Sequence, residues 1–458
     1  MLMEALHMKT EKSQTNQITE GSIIKALMSL FFPILFGTFF QQLYNTADAV
    51  IVGKFVSKEA LAAVGGTTGT LINLLVGFFT GLSSGASVVI AQYYGGKKDK
   101  ELGHSVHTAI AVALAGGLLL MIIGIGFAPM IMKAMGTPDE ILHYSTTYIR
   151  IYFAGIIPTL LYNMGSSILR AIGDTRRPLY YLIASCLTNI VLDLIFVKVF
   201  HLAIVGVAFA TIASQILSAV LIMRALLRSK ENYQLKVQEI HFEAYILKRI
   251  FYIGLPAGLQ SSMYAISNVI IQAFINDFGT DTIAAWTAYS KIDSLFWMTI
   301  GALGISIATF VGQNYGAHRL DRVKRCVRIS FLISAVGTLI ISFILYTACP
   351  LLFRLFSNEV EVIDIGIDIS RFMVPAFITY ITIEVLTSTL RGIGDSIIPM
   401  IMTCGGICVL RILWIFTATK PWPGLHTVLA SYPITWIITS TMFTIYYLRY
   451  IKKKKVSA

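Results

Sequence analysis

Long apolar runs, each separated from the next by a few polar or charged residues, make up most of this chain. They fall at roughly 24–52, 61–93, 105–128, 143–168, 179–200 and 204–225, and again at 249–275, 283–313, 327–350, 363–389, 398–418 and 426–450. Each is long enough for the ~20 apolar residues that a helix needs to cross a bilayer. A polar stretch between Arg228 and Lys248 separates the first six runs from the second six. The pattern predicts an all-α integral membrane protein of twelve transmembrane helices. Its divisions are a 1–23 cytoplasmic segment, a 24–225 N-lobe, a 226–248 linker, a 249–450 C-lobe and a basic 451–458 tail.

Composition narrows the class. Residues of the set AVILMFWYC make up 56% of the 458, and charged residues only 13%, about half the ~25% of a soluble domain. One or two soluble cores could not hide so much apolar surface, which excludes a soluble enzyme, a disordered regulator and a secreted disulfide scaffold. The net charge of +12 could suggest nucleic acid, but the cations sit in short loops between runs. Counted on alternate sides, Lys and Arg divide 26 to 8. The positive-inside rule then puts both termini in the cytoplasm, in a cell (plasma or inner) membrane. The first twenty residues are polar and mixed in charge, unlike a cleaved signal peptide. Lys452–Lys455 reads as an anchor near acidic lipid. Cys404 and Cys408 lie one turn apart with no His or acid around them, which favours buried apolar side chains over a metal site.

The chain repeats itself. Gln92-Tyr93-Tyr94-Gly95 returns as Gln313-Asn314-Tyr315-Gly316, and Leu169-Arg170-Ala171-Ile172-Gly173-Asp174 as Leu390-Arg391-Gly392-Ile393-Gly394-Asp395, both shifted by 221. Pro129 and Pro350, Arg150 and Arg371, and Pro178 and Pro399 keep the same shift. Six spans per half is an even number, so the halves are parallel repeats about an axis along the membrane normal. Two six-helix lobes around a central cleft is the architecture of an alternating-access carrier.

Charges inside spans carry the chemistry, since each is costly unless paired, protonated or ligated. The N-terminal half holds Asp48 in the first helix and Asp193 in the fifth, with Asn189 one turn before Asp193, and no Lys or Arg at matching depth. Such carboxylates must take a proton or bind a cation. They read as an H⁺ or Na⁺ site or as protonated, hydrogen-bonded structural residues. The C-terminal half holds Lys291, Asp293, Glu384 and Arg411, whose charges sum to zero; mutual salt bridges are the simpler expectation, substrate binding or coupling the other. Pro33 and Pro256 sit mid-span, where each removes a backbone donor and can kink its helix. Gly81-Leu82-Ser83-Ser84-Gly85 matches GxSxG but lies inside an apolar run, where small residues serve close helix packing. Tyr, Phe and Trp near span ends read as an interfacial belt. No nucleophile–base or metal-ligand set points to an enzyme, and no resident cofactor is expected beyond the coupling ion.

Ala47-Asp48-Ala49-Val50-Ile51-Val52-Gly53, Ala60-Leu61-Ala62-Ala63-Val64-Gly65, Gln92-Tyr93-Tyr94-Gly95 and the duplicated Leu-Arg-x-Ile-Gly-Asp resemble the multidrug and toxic compound extrusion (MATE) transporters over residues 24 to 450. The resemblance implies twelve helices in two lobes and export of drugs against entry of H⁺ or Na⁺. The N-lobe is similar to the DinF-like branch: an acid after a first-helix proline (Asp48, Pro33), Asn-x-x-x-Asp in the fifth helix (Asn189, Asp193), Asn163 in the fourth and Thr211 in the sixth. Tyr44 and Tyr148 match tyrosines lining that cavity. The NorM-like branch has a glutamate just after the seventh-helix proline; here Pro256 is followed by Ala257-Gly258-Leu259-Gln260, with no acid. The expectation is an antiporter exporting amphipathic, cationic organic compounds. It would act as a monomer among membrane lipids, with no nucleic acid and no obligate protein partner. A lipid-linked precursor flippase of the same superfamily is the alternative.

Overall fold

The structure, a computed structural model, describes residues 17–456; residues 1–16 of the expected cytoplasmic segment and 457–458 of the tail lie outside it. After a one-turn helix, Gln17–Glu20, the chain forms twelve rods. The first six are α1 (Ile23–Phe55), α2 (Lys58–Gly65 and Thr67–Gly95), α3 (Asp99–Ala134), α4 (Asp139–Ala154 and Ile156–Ala171), α5 (Arg176–Leu194, then a π turn Ile195–Val199) and α6 (Ala203–Leu227). The second six are α7 (Ala244–Asn276), α8 (Thr280–Gly316), α9 (Leu320–Arg354), α10 (Val360–Met373, Val374–Thr379 and Ile381–Ile393), α11 (Ile397–Thr403, a π turn Cys404–Val409 and Leu410–Ala418) and α12 (Leu425–Val456). No strand is present among the described residues.

Among the described residues nine helices are long and apolar enough to cross a membrane alone, and α10, bent by 41° in its middle, makes a tenth. The other two spans carry physical reasons for falling short. Gly155 splits α4 into two 16-residue pieces, and Gln260, Ser261, Ser262 and Asn268 dilute α7. Helices also outrun the apolar stretches that announce them. At 36 residues, α3 is ~54 Å long against a ~30 Å hydrocarbon core, so its ends are polar. For the same reason α7 begins at Ala244 and α12 continues to Val456, leaving a shorter linker and tail than hydropathy alone indicates. Large apolar side chains such as Leu119, Ile122, Leu339 and Phe343 face outward, where lipid replaces a soluble protein's water.

The duplicated motifs are helix stops. In both copies of Leu-Arg-x-Ile-Gly-Asp the Asp amide donates to the Leu carbonyl at 2.9 Å, and the Gly amide to the Arg carbonyl at 3.0 and 2.9 Å. This paired closure needs a left-handed residue, and Gly173 and Gly394 supply φ of +98° and +102°. Each Asp then caps the next helix, Asp174 accepting from the Arg177 amide at 3.2 Å and Asp395 from that of Ile398 at 3.4 Å.

The halves meet through the same motifs. Gln92 donates its side-chain amide to the Gly392 carbonyl at 2.9 Å, and Gln313 donates to that of Ala171 at 2.7 Å. The two bonds are one bond exchanged across a pseudo-two-fold, since both pairs keep the 221 shift. Gly95 rests against the backbone of Gln313, and Gly316 against that of Gln92. Arg249 of α7 adds a 2.6 Å bond to Gln92 Oε1 and lies over the Tyr93 ring. The first helix of each half crosses over: Ile23 to Ile34 of α1 join the second half's core, while Ile246, Ile250 and Ile253 of α7 join the first's. A Cβ on Gly85 would stand 2.5 Å from the Gly254 Cα, so α2 and α7 touch backbone to backbone. That approach loosens to 4.0 Å at Gly77 and Ser261. The lobes are therefore sealed on the side bearing the linker. No interlobe hydrogen bond lies beyond that seal among the described residues.

Candidate functional site

Inside the first lobe, α1 presents Tyr44 and Asp48 one turn apart, and α5 presents Asn189 and Asp193 at the same spacing. Asn189 and Asp193 are fully buried, and Asp48 is 8% exposed. The Asp48 and Asp193 carboxyls lie against each other. From α6, the Thr211 hydroxyl stands beside the phenols of both Tyr44 and Tyr148. Tyr148, on α4, stacks on Tyr152 with centroids 6.4 Å apart. The helices carrying these groups are tied nearby: Ser185 donates to the Ser214 carbonyl at 2.7 Å, and Cys186 to that of Phe40 at 3.7 Å.

The electrostatics of this cluster are lopsided. Seven buried polar atoms have no hydrogen-bond partner among the described residues: the Tyr44 hydroxyl, Asp48 Oδ1, both Asn189 side-chain atoms, both Asp193 oxygens and Thr211 Oγ1. Buried polar groups are ordinarily paired, and two adjacent carboxylates cannot both stay ionised away from water unless a cation joins them. No Lys or Arg among the described residues forms an ion pair with either. The arrangement can hold one proton between two acids or offer oxygens to a monovalent cation. Its donor set is wrong for a transition metal, and no group of three His, Cys, Asp or Glu side chains suited to one occurs among the described residues. The π turn Ile195–Val199 begins two residues after Asp193; such bulges recur at functional positions.

Six of the seven residues that sequence reasoning placed here come together: Tyr44, Asp48, Tyr148, Asn189, Asp193 and Thr211. The seventh, Asn163 on α4 of the same lobe, is half-buried. Tyr152 is the residue that sequence reasoning missed, although it stands one turn after Tyr148.

The second lobe corrects an expectation. No ion pair joins Lys291, Asp293, Glu384 and Arg411. Lys291 is exposed; two residues from Asp293 on one helix, it points to the opposite face. Asp293 accepts from Trp297 Nε1 at 3.0 Å. Glu384 accepts from Ser388 at 3.2 Å and faces Arg391, two turns along its own helix, not Arg411. Arg391 in turn donates to Gln260 Oε1 at 3.1 Å. Arg411 lies over the Tyr432 ring, 3.9 Å from its centroid. Asp293 and Arg411 share instead the wall of a cavity of 490 Å³, along with Trp286, Trp297, Tyr432 and Trp436. These rings are not an interfacial belt, since Trp436 is 1% exposed. A larger cavity of 760 Å³ lies at the linker side, between Arg177, Arg224, Arg228 and Lys230, away from both clusters.

Pro33 and Pro256 sit inside continuous helices. Pro33 withdraws the amide that would bond the Ser29 carbonyl, and Thr175 of the first duplicated turn donates to that carbonyl at 3.2 Å instead.

Known proteins share this architecture. A model of the MatE family matches residues 33–195 and 256–417, one segment in each half. "Probable multidrug resistance protein YoeA" of Bacillus subtilis is 26% identical over 454 residues, covering 97% of both chains. A solved MOP superfamily transporter from Pyrococcus furiosus, 22% identical, superposes with a TM-score of 0.87 over 97% of this chain and 99% of that one. A MATE family transporter solved in an outward-facing conformation gives 0.88 at the same identity and coverage. With one matched segment in each lobe, together spanning well over half of the sequence, the chain belongs to the MatE family of membrane transporters.

Proposed function

We propose that this chain is a cation-coupled antiporter of the DinF-like branch that exports amphipathic, cationic organic compounds from the cytoplasm in exchange for H⁺ or Na⁺. The observation that carries the reading is the buried pair Asp48 and Asp193, joined by no Lys or Arg among the described residues. An ion entering from outside neutralises the pair, which changes the packing of α1 against α5 and biases the lobes from one facing to the other. With the 26-to-8 bias of basic residues placing the linker side in the cytoplasm, the seal at Gln92 and Gln313 closes the inside, and the present arrangement is outward-facing. The chain works singly in the plasma (inner) membrane, surrounded by lipid. The names of relatives such as YoeA and "Multidrug export protein MepA" of Staphylococcus haemolyticus, 23% identical over 424 residues, support a drug-like cargo. Export against a gradient requires that two ligands exclude each other, and a neutralised pair no longer favours a cationic compound in the cleft.

The test is Asp48→Asn in everted membrane vesicles loaded by an imposed gradient. Drug accumulation is expected to fall at least tenfold, to the level seen without a gradient; undiminished accumulation would sink the assignment.

A further inference from the structure

Arg411 is the least explained charge in the molecule. It follows the π turn Cys404–Val409 of α11 by two residues and is 2% exposed. A guanidinium keeps its charge under all ordinary conditions and carries five N–H donors, yet Arg411 donates no hydrogen bond among the described residues, and its Nε is sealed with no acceptor. Its electrostatic neighbours are Tyr432, Tyr264, Cys408 and Tyr380, all neutral groups. Glu384 is oriented toward Arg391 and Asp293 is engaged by Trp297, and no other acid among the described residues acts on Arg411. A buried cation lacking a counter-ion is costly, and helices of this lobe supply none. Only the Tyr432 ring face partly offsets it.

The cavity beside it supplies the complementary features. At 490 Å³ it has the size of a drug-scale ligand site. Trp286, Trp297 and Trp436 give it flat apolar walls, Trp297 standing edge-on to Tyr380 at 4.8 Å and Trp436 to Tyr432 at 5.7 Å. Asp293 borders the same space and uses only Oδ2 on Trp297, which leaves Oδ1 for a cationic donor. Tyr432 lies within electrostatic reach of both Arg411 and Asp293, so the two charges serve one ligand.

We propose that this second-lobe cavity binds an aromatic zwitterion, its carboxylate on the Arg411 guanidinium, its amine on Asp293 and its ring system between the tryptophans. A planar fork fits a carboxylate with two parallel bonds, and a compound bearing both charges leaves the cavity neutral. The identification of the ligand as cargo rests on the transport reading, whereas the binding itself does not. Asp48 and Asp193 lie in the other lobe.

The experiment is equilibrium dialysis on the purified full chain in lipid nanodiscs at neutral pH, with norfloxacin (an aromatic zwitterion), its methyl ester (the same body without the carboxylate) and ethidium (a pure cation). The unaltered chain is expected to bind norfloxacin at least tenfold more tightly than the ester. Arg411→Gln is expected to erase that difference while leaving the ester within twofold, and Asp293→Asn to weaken both. Equal binding of norfloxacin and ester by the unaltered chain would overturn the proposal, and this comparison needs no variant to fold. A preference for norfloxacin over its ester that survives Arg411→Gln would overturn it too, as would ethidium binding that is lost with Arg411→Gln. Transport that survives Asp48→Asn would sink the coupling reading and leave this site standing.

Discussion

Asp48 and Asp193 were legible from sequence because an acid in an apolar run stands out: it costs several kcal/mol in the bilayer unless it is neutralised. Asn189 came with them through helical spacing. Tyr152 escaped because a tyrosine in a span is as compatible with a lipid boundary as with a buried cluster, and only its stacking on Tyr148 separates the two. The orientation of Glu384 toward Arg391 escaped for a different reason. Arg391 belongs to a motif that reads as a loop, and only the structure extends α10 to Ile393, placing the two on one face. If Glu384 is structural, Glu384→Gln should lower stability by about 1–3 kcal/mol, the cost of weakening a buried carboxylate's hydrogen bond to Ser388. Thermal unfolding in detergent measures it. Gradient-driven efflux at permissive temperature should remain within twofold; an efflux loss comparable to that of Asp48→Asn would mean a second coupling site.

At the scale of elements, the proline in α1 is held by a partner from another part of its lobe. Thr175 replaces the donor that Pro33 removes, so the two positions should couple. Thr175→Val is expected to cost about 1 kcal/mol in the unaltered chain and almost nothing with Pro33→Ala, where the residue 33 amide can bond the Ser29 carbonyl. Equal melting-point losses in both backgrounds would break the link. The backbone contact of α2 and α7 gives a second contrast. Gly85→Ala forces a Cβ onto Gly254 and is expected to cost about 1–3 kcal/mol. Gly126→Ala on α3, where nothing lies within 4 Å, should be neutral or stabilising. The sequence announced small residues at Gly81 and Gly85 but not their partner helix, because a stripe of glycines records close approach and not what approaches. Spans were likewise found while helix ends were not. Hydropathy marks the hydrocarbon slab, whereas helices end at caps such as Gly173 and Gly394.

For the whole molecule, the 221-residue offset marks two related lobes in the sequence itself, and the crossed bonds of Gln92 and Gln313 explain why those motifs exist in duplicate. What the offset could not reveal is which half each glutamine serves, since a repeat read along the chain is silent about exchange between its copies. Gln92→Ala strands the Gly392 carbonyl in the closed arrangement only. A penalty of about 1–3 kcal/mol there moves the balance of lobe arrangements roughly five- to a hundredfold toward the one open at the linker side. Spin labels at exposed Lys100 and Arg325 should report a longer distance in that variant, and an unchanged distribution would show that the glutamine bonds do not hold the seal. A buried acid pair in one lobe has to drive the rearrangement of two. The decisive measurement is ethidium efflux from proteoliposomes with a pH gradient and a Na⁺ gradient imposed separately, on the unaltered chain and on Asp48→Asn with Asp193→Asn. One gradient should drive efflux by the unaltered chain and neither should drive it in the double variant. Efflux indifferent to both gradients, or equal in the two proteins, would contradict the account.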